Sequence, residues 1–281
     1  MTLVIVHKMG NHISLSSDSR ISFGAAGYID YGIKVFSVPV KIHSPTSVET
    51  DATDLVYSNK LGLAITGSAI NAYTVKESVY EMLQHLQYVP GHTDVSLDGI
   101  ASLIFKVFRK STMDLGGIMR ENGISELIVS GFCPGQRKLR VFYFFCDIFN
   151  NPIQPGYEEI LVDSGMRFFG SGKVEAQRVF NATPQLSPLH IVRQVIRDAR
   201  VPTVGGGMQY GEFAGNNFEV FGIEDYMLNP DGSFKEYLYT LRGLNLYREE
   251  FEADSGDFHV AYKFKQPFER EINETWQRDD T

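Results

Sequence analysis

Three residues near the start of the chain have the types needed for a nucleophile that carries its own base: Thr2, Asp18 and Lys34. They are evenly spaced, at positions 2, 18 and 34. Met1 precedes a small residue, the usual substrate of methionine aminopeptidase, so the mature chain is expected to start at Thr2. Its hydroxyl would then sit beside a free α-amine. An α-amine titrates near about 7.7–8.0, so a useful fraction is neutral at cellular pH. A neutral amine can take the hydroxyl proton and make the threonine a nucleophile. A nearby ammonium favours the neutral amine, because like charges disfavour double protonation. Lys34 suits that task, and Asp18 would hold Lys34 and balance its charge. Each residue also has an ordinary reading. Asp18 stands in a Ser-Ser-Asp-Ser run typical of turns. Lys34 is less ordinary, since a lysine within an apolar strand needs a partner.

Local elements must bring these residues together. Thr2 to Lys8 reads as a strand, Gly10-Asn11 as a turn, and His12 to Ser17 as a second strand, which makes a hairpin. Asp18 to Tyr31 reads as a loop and Gly32 to Val40 as a strand. Residues 43–54 are a polar loop insertion. Strands at Asp54 to Tyr57 and Leu61 to Thr66 would flank a turn at Ser58-Asn59-Lys60. From Ser68 the period turns helical, with Ala72, Val75, Val79, Met82 and Leu86 on one stripe. A second helix covers Leu97 to Glu121. Strands return at Glu126 to Gly131, Leu139 to Cys146 and Glu158 to Asp163. Helices near Lys173 to Asn181 and Pro188 to Arg200 follow, then strands at Met208 to Phe213 and Asn217 to Gly222. Runs of strands and helices segregated in this way predict an α+β fold. Two face-to-face sheets, each covered by a helix pair, would form a four-layer αββα sandwich. The predicted division is a domain over residues 2–222 and a C-terminal extension over 223–281, packed on that domain or used in subunit contacts. Its tail, Glu269 to Thr281, is strongly charged.

Thr2, Ser17-Asp18-Ser19-Arg20 and Lys34 resemble the β-type catalytic subunits of the proteasome family, the HslV-like N-terminal nucleophile (Ntn) hydrolases. Further segments match in order. Ala64-Ile65-Thr66-Gly67-Ser68 is similar to the strand-to-helix turn that supplies an oxyanion-hole N–H, which makes Gly67 the candidate donor. Ile160-Leu161-Val162-Asp163-Ser164-Gly165, followed by Gly170-Ser171-Gly172, is similar to the segment whose serine lies near the terminal amine, here Ser171. Arg197-Asp198, followed by Gly205-Gly206, is similar to the family's Arg-Asp…Ser-Gly-Gly, so Asp198 would steady the amine and Ser171. The serine of that last motif has no clean match, and Thr203 is the nearest hydroxyl. The chain departs from a standard β subunit in its extra length at residues 40–57, between Asp198 and the glycines, and after 222, and these departures point to a bacterial proteasome-related branch.

The resemblance implies the Ntn hydrolase fold and a threonine endopeptidase that needs no metal or organic cofactor. Arg20, Ile21 and Ile65, with Gly32, would line the substrate pocket. Peptides or unfolded proteins would be the substrates. A homo-oligomeric ring or helical assembly would enclose the sites, with an AAA+ ATPase as a feeding partner. Two alternatives stay open: a small-molecule Ntn amidase with the same chemistry, and a catalytically silent ring or scaffold subunit if Met1 stays on.

Other features narrow the field. The 281 residues suffice for a sizeable core, and 43% hydrophobic with 21% charged is ordinary globular composition. A formal charge of −8 and the lack of a Lys/Arg-rich run argue against nucleic acid as a partner. No apolar run approaches a membrane span, and the first residues do not read as a signal peptide. Cys133 and Cys146 give no disulfide framework and fit a reduced, cytoplasmic setting. Gly170-Ser171-Gly172-Lys173 fails as a phosphate loop, with Arg167 where a glycine should stand and Val174 where a Ser or Thr should follow. His7 and His12 face across the hairpin without a metal-binding pattern.

Overall fold

The first strand, β1 (Val4–Met9), is apolar on both faces. Val4 and Val6 point into one apolar cluster, while Ile5 and the preceding Leu3 point into another. All four are 0% exposed, which places this segment in the middle of the molecule rather than at an edge. The coordinates are a computed structural model, and the structure describes residues 2–45, 54–89, 95–147, 154–229, 231, 233–246 and 260–266.

After the turn at Gly10, β2 (His12–Asp18) pairs antiparallel with β1 and ends on Asp18. A small hairpin follows, β3 (Ile21–Ser22) with β4 (Tyr28–Ile29), inside the stretch expected to be a loop. Strand β5 (Val35–His43) starts one residue after Lys34 and pairs with β6 (Leu55–Gly67). Helix α1 (Ala69–Met82), the short β7 (Leu86–Gln87) and helix α2 (Leu97–Met119) come next. Strands β8 (Ser125–Cys133), β9 (Lys138–Asp147), β10 (Gln154–Ile160) and β11 (Gly165–Phe169) precede α3 (Lys173–Ala182) and α4 (Pro188–Ile196). The described chain closes with β12 (Met208–Ala214), β13 (Asn217–Leu228), β14 (Phe234–Leu241), β15 (Leu244–Asn245) and β16 (Phe264–Lys265).

Among the described residues, one sheet has the order β11-β1-β2-β12-β13-β14-β15, with β16 beside β13. A second runs β10-β9-β8-β6-β5-β7. The fold is thus mixed α+β with strands in the majority. Three apolar clusters hold it. Phe36, Val38, Leu63, Leu127 and Phe144 of the second sheet pack on Val75, Val79, Ile104 and Phe108 of α1 and α2. Val4, Ile13, Leu15 and Phe218 of the first sheet pack with Val35, Ala64, Ile128 and Val141 of the second. Leu3, Ile5 and Met208 pack with Ala176, Val179, Ile191 and Val195 of α3 and α4. Burial of apolar area at about 25 cal/mol per Å² is the main favourable contribution at each of these contacts.

Some expected boundaries change. The turn expected at Ser58-Asn59-Lys60 is uninterrupted strand, with these residues opposite Lys41, Val40 and Pro39. Pairing along the whole partner strand overrides the local turn preference. Asn59 is 6% exposed, and its amide takes part in bonds with the Tyr57 hydroxyl and the Lys60 N–H. Leu86, counted in the first helical stripe, instead pairs with Ile42 in β7. The fourth helix stops at Ile196, and the Asp198 carboxylate accepts the Arg200 N–H beyond it. Residues 46–53 of the expected loop insertion and the charged tail from Glu269 lie outside the described residues. Among the described residues, no helix is long and apolar enough to cross a membrane, and no cluster of His, Cys, Asp and Glu could hold a metal ion.

Candidate functional site

Asp18, at the end of β2, is 0% exposed, and donors surround its carboxylate. Its Oδ1 accepts from the Leu3 N–H at 2.9 Å and from Lys34 Nζ at 2.7 Å, with the Thr2 hydroxyl at 3.4 Å. Its Oδ2 accepts from the backbone N–H groups of Gly205 at 3.0 Å and Arg20 at 3.2 Å. A buried carboxylate is tolerated only when paired and hydrogen-bonded in this way. Lys34 is 3% exposed. Burial holds its ammonium below the usual lysine range, and the Asp18 carboxylate opposes that pull.

Thr2 is 3% exposed and lies just ahead of β1. Its backbone nitrogen donates to Ser171 Oγ at 3.1 Å, and its carbonyl accepts from the Gly172 N–H at 3.2 Å. Gly170 has φ +83°, in the left-handed region that glycine adopts without strain. The Gly-Ser-Gly segment that fails as a phosphate loop therefore cradles the start of the chain. Ser171 Oγ also lies 3.0 Å from Thr203 Oγ1.

Thr2 and Lys34 open onto one cavity of about 720 Å³. Ile21, Ile33, Ile65, Ala72, Tyr73 and Met119 give it apolar walls. Gly67, at the end of β6 with φ +81°, also lines it. Cβ growth at Gly67 would meet the Ile124 carbonyl at 2.7 Å, which fits the tight turn into α1. Arg20 reaches the cavity too, yet its guanidinium is occupied. It pairs with Asp30 at 2.7 Å and 2.9 Å, bonds the Pro202 carbonyl at 2.9 Å, and lies 3.7 Å from the centre of the Tyr28 ring.

The structure thus gathers Thr2, Asp18, Lys34 and Ser171 by direct contacts, and places Gly67, Arg20, Ile21 and Ile65 around the same cavity. Asp198 is bonded elsewhere. Its carboxylate is held by Arg200 at 2.9 Å and 3.1 Å, which keeps it well below the usual carboxylate range. None of its described bonds reaches Thr2 or Ser171; the hydroxyl at Ser171 is that of Thr203. Two contributors escaped the sequence reading. The Tyr73 hydroxyl accepts from the Ile33 N–H at 3.0 Å and donates to the Ile33 carbonyl at 2.7 Å. Gln209 bonds the backbone around Lys34. Neither has a motif, and Gln209 sits in ordinary apolar–polar alternation that gives no sign of its burial.

No family model matches the chain, and no curated protein matches it. Solved structures do. A helical assembly of the Anbu complex from Pseudomonas aeruginosa is similar over 78% of this chain and 85% of its own, at 14% identity and TM-score 0.55. Anbu (ancestral beta-subunit) from Yersinia bercovieri is similar over 77% and 82%, at 14% identity and TM-score 0.50. A mutant Anbu from Hyphomicrobium sp. strain MC1 is similar over 89% and 90%, at 11% identity and TM-score 0.53. These findings overturn the assignment to the proteasome β-type, HslV-like family. The chain shares the fold of these Anbu (ancestral beta-subunit) structures, and identities of this size establish the fold alone.

Proposed function

We propose that the chain is a threonine-type peptidase of the N-terminal nucleophile kind, working inside a homo-oligomer. The observation that carries this reading is the buried Thr2–Asp18–Lys34 set, of which Thr2 and Lys34 line the 720 Å³ cavity. Removal of Met1 makes the Thr2 nitrogen an α-amine beside the Ser171 hydroxyl. The neutral amine takes the proton of Thr2 Oγ1 as that oxygen attacks a peptide carbonyl. The Gly67 N–H stabilises the resulting oxyanion. The tetrahedral intermediate expels the leaving amine, which receives the proton from the α-ammonium. Water then hydrolyses the ester on Thr2, with the α-amine again accepting a proton. Lys34 keeps the amine from holding its proton too tightly, and Asp18 keeps Lys34 in place. Ser171 orients the amine, and Asp198 belongs to the proposal only through the loop that carries Thr203. The apolar walls formed by Ile21 and Ile65 suit an apolar substrate side chain, while Arg20 shapes the rim.

The three apolar clusters support reading the architecture as a four-layer αββα sandwich. The division at residue 222 is likewise a proposal; β13 runs across it, so the described residues after 222 that pair with it would pack as part of the same body. Likeness to a protein whose solved form is a helical assembly supports a homo-oligomer that encloses the sites. Peptides or unfolded proteins in the cytoplasm, delivered by an AAA+ ATPase, complete the reading. Turnover of a fluorogenic peptide panel by the purified protein, with Thr2→Ala as control, tests it. Peptide cleavage lost in the variant is the expected result, and equal cleavage by both proteins would refute it. Light scattering tests the assembly: a clean monomer at micromolar concentration counts against it.

A further inference from the structure

Lys34 lies at a seam. Strand β5 begins its ladder at Val35, opposite Ala64, so the backbone N–H of Lys34 precedes that pairing. Its partner comes from the other sheet. Gln209 on β12 is 1% exposed, and its Oε1 accepts from the Lys34 N–H at 2.9 Å and from the Val35 N–H at 3.2 Å. Its Nε2 donates to the Gly32 carbonyl at 2.6 Å and to the Asp18 carbonyl at 3.4 Å. A primary amide has two donors and an acceptor oxygen with two lone pairs, so all four places are filled. The partners also fix which way the amide points, since two N–H groups face one end and two carbonyls the other.

We infer that Gln209 is a positioning residue for the candidate site: its side-chain amide bolts the backbone of Lys34 to that of Asp18 and so sets the meeting of their side chains. The inference rests on the reading of Lys34 as the cation that supports Thr2. No bond runs from Gln209 to Thr2 itself among the described contacts. It acts through the two chain segments that carry the pair, one on each sheet. With the amide gone, the Lys34 N–H and the Gly32 carbonyl lose their partners where Gln209 is 1% and Lys34 3% exposed, and the segment 32–35 must shift to recover bonds. A shift of an ångström at a catalytic group lowers turnover by roughly 100-fold.

The experiment uses the full chain, with an N-terminal Thr2 verified by intact mass, and a peptide p-nitrophenyl ester as probe. The burst of nitrophenol reports acylation, and the steady state gives kcat and KM. Gln209→Leu is expected to lower kcat by roughly 10- to 100-fold with KM near wild type. In a Lys34→Met background the same change is expected to cost less than about threefold, because a residue that acts through Lys34 has nothing left to position. Gln209→Glu keeps the acceptor and the shape, and serves if the leucine variant melts below the assay temperature. Its carboxyl donates to Gly32 only while protonated, so its acylation rate should fall towards high pH, where wild type rises. Equal losses with and without the Lys34 amine, a loss confined to KM, or unchanged kcat would overturn the inference. A wild-type protein that gives no burst, matching Thr2→Ala, removes the nucleophile reading itself and the inference with it, and is recognised by that match.

Discussion

A Cβ added at Gly170 would lie 2.3 Å from the Thr2 carbonyl oxygen and 3.1 Å from Thr2 Cγ2. At Gly170 the loop before α3 therefore leaves no room for a side chain against the start of the chain. Gly170→Ala must displace Thr2 or strain the loop, which already holds φ +83°. The expected loss of stability is about 1–3 kcal/mol. Turnover should fall by roughly 100-fold, as for an ångström-scale misplacement of a reacting group. Melting curves and peptide turnover measured together check both parts.

The Asp18–Lys34 pair should respond unequally to removal of its members. Lys34→Met leaves Asp18 with the N–H groups of Leu3, Arg20 and Gly205. Asp18→Asn leaves a buried ammonium without its counter-charge, which costs about 3–5 kcal/mol. Both variants should lose turnover, but the asparagine variant should melt much lower. Denaturant unfolding of the two separates these outcomes.

Stability of the Asp18→Asn variant should also depend on pH. Burial lowers the Lys34 pKa in the folded state already in the wild type. Below that folded value both states hold the proton. Above it only the unfolded state does, up to about pH 10.4, so stability rises with pH across that window. Urea midpoints at pH 7 and pH 9.5 should therefore increase more for the variant than for wild type.

Thr203 and Asp198 give a direct comparison. Thr203→Val removes the hydroxyl 3.0 Å from Ser171 Oγ, a bond worth about 1 kcal/mol, so turnover should fall by roughly fivefold. Asp198→Asn should leave turnover near wild type, because the described bonds of its carboxylate run to Arg200. Steady-state kinetics of both variants is the check, and the reverse ranking would restore Asp198 to the site.

Arg140 supplies a stability prediction remote from the cavity. Its guanidinium, 6% exposed, joins Asp98 at the start of α2 to Glu159 on β10. Hydrogen bonds from Arg140 hold both carboxyls below their usual range. Their contribution is fully present above about pH 4.5 and is lost as pH falls through the lowered folded values. Arg140→Met should cost about 2–3 kcal/mol, less than for a fully buried pair because Asp98 is 54% exposed. Acid titrations of melting temperature should show a shallower acid limb in the variant.

Much of the candidate site is legible in the sequence because it depends on local order. A hairpin and a returning strand suffice to bring positions 2, 18 and 34 together, and a strand-to-helix turn marks Gly67. Ser58-Asn59-Lys60 misleads, since turn preference is local while the ladder to β5 is not. Strand β11 goes unread because its pattern, Gly-Met-Arg-Phe-Phe, gains meaning only beside β1. Gln209 and Tyr73 are silent for the same reason: their partners lie 175 and 40 residues away. Asp198 matches the motif by position, yet Arg200, two residues on, captures its carboxylate.

Whether Thr2 is the nucleophile can be read from mass spectrometry of the N-terminal peptide after a brief reaction with the peptide p-nitrophenyl ester. A chain that starts at Thr2 and carries the acyl group on that residue, with none on Thr2→Ala, is the expected result. A chain that keeps Met1 and still turns over substrate, or an acyl group found on another residue, would contradict it.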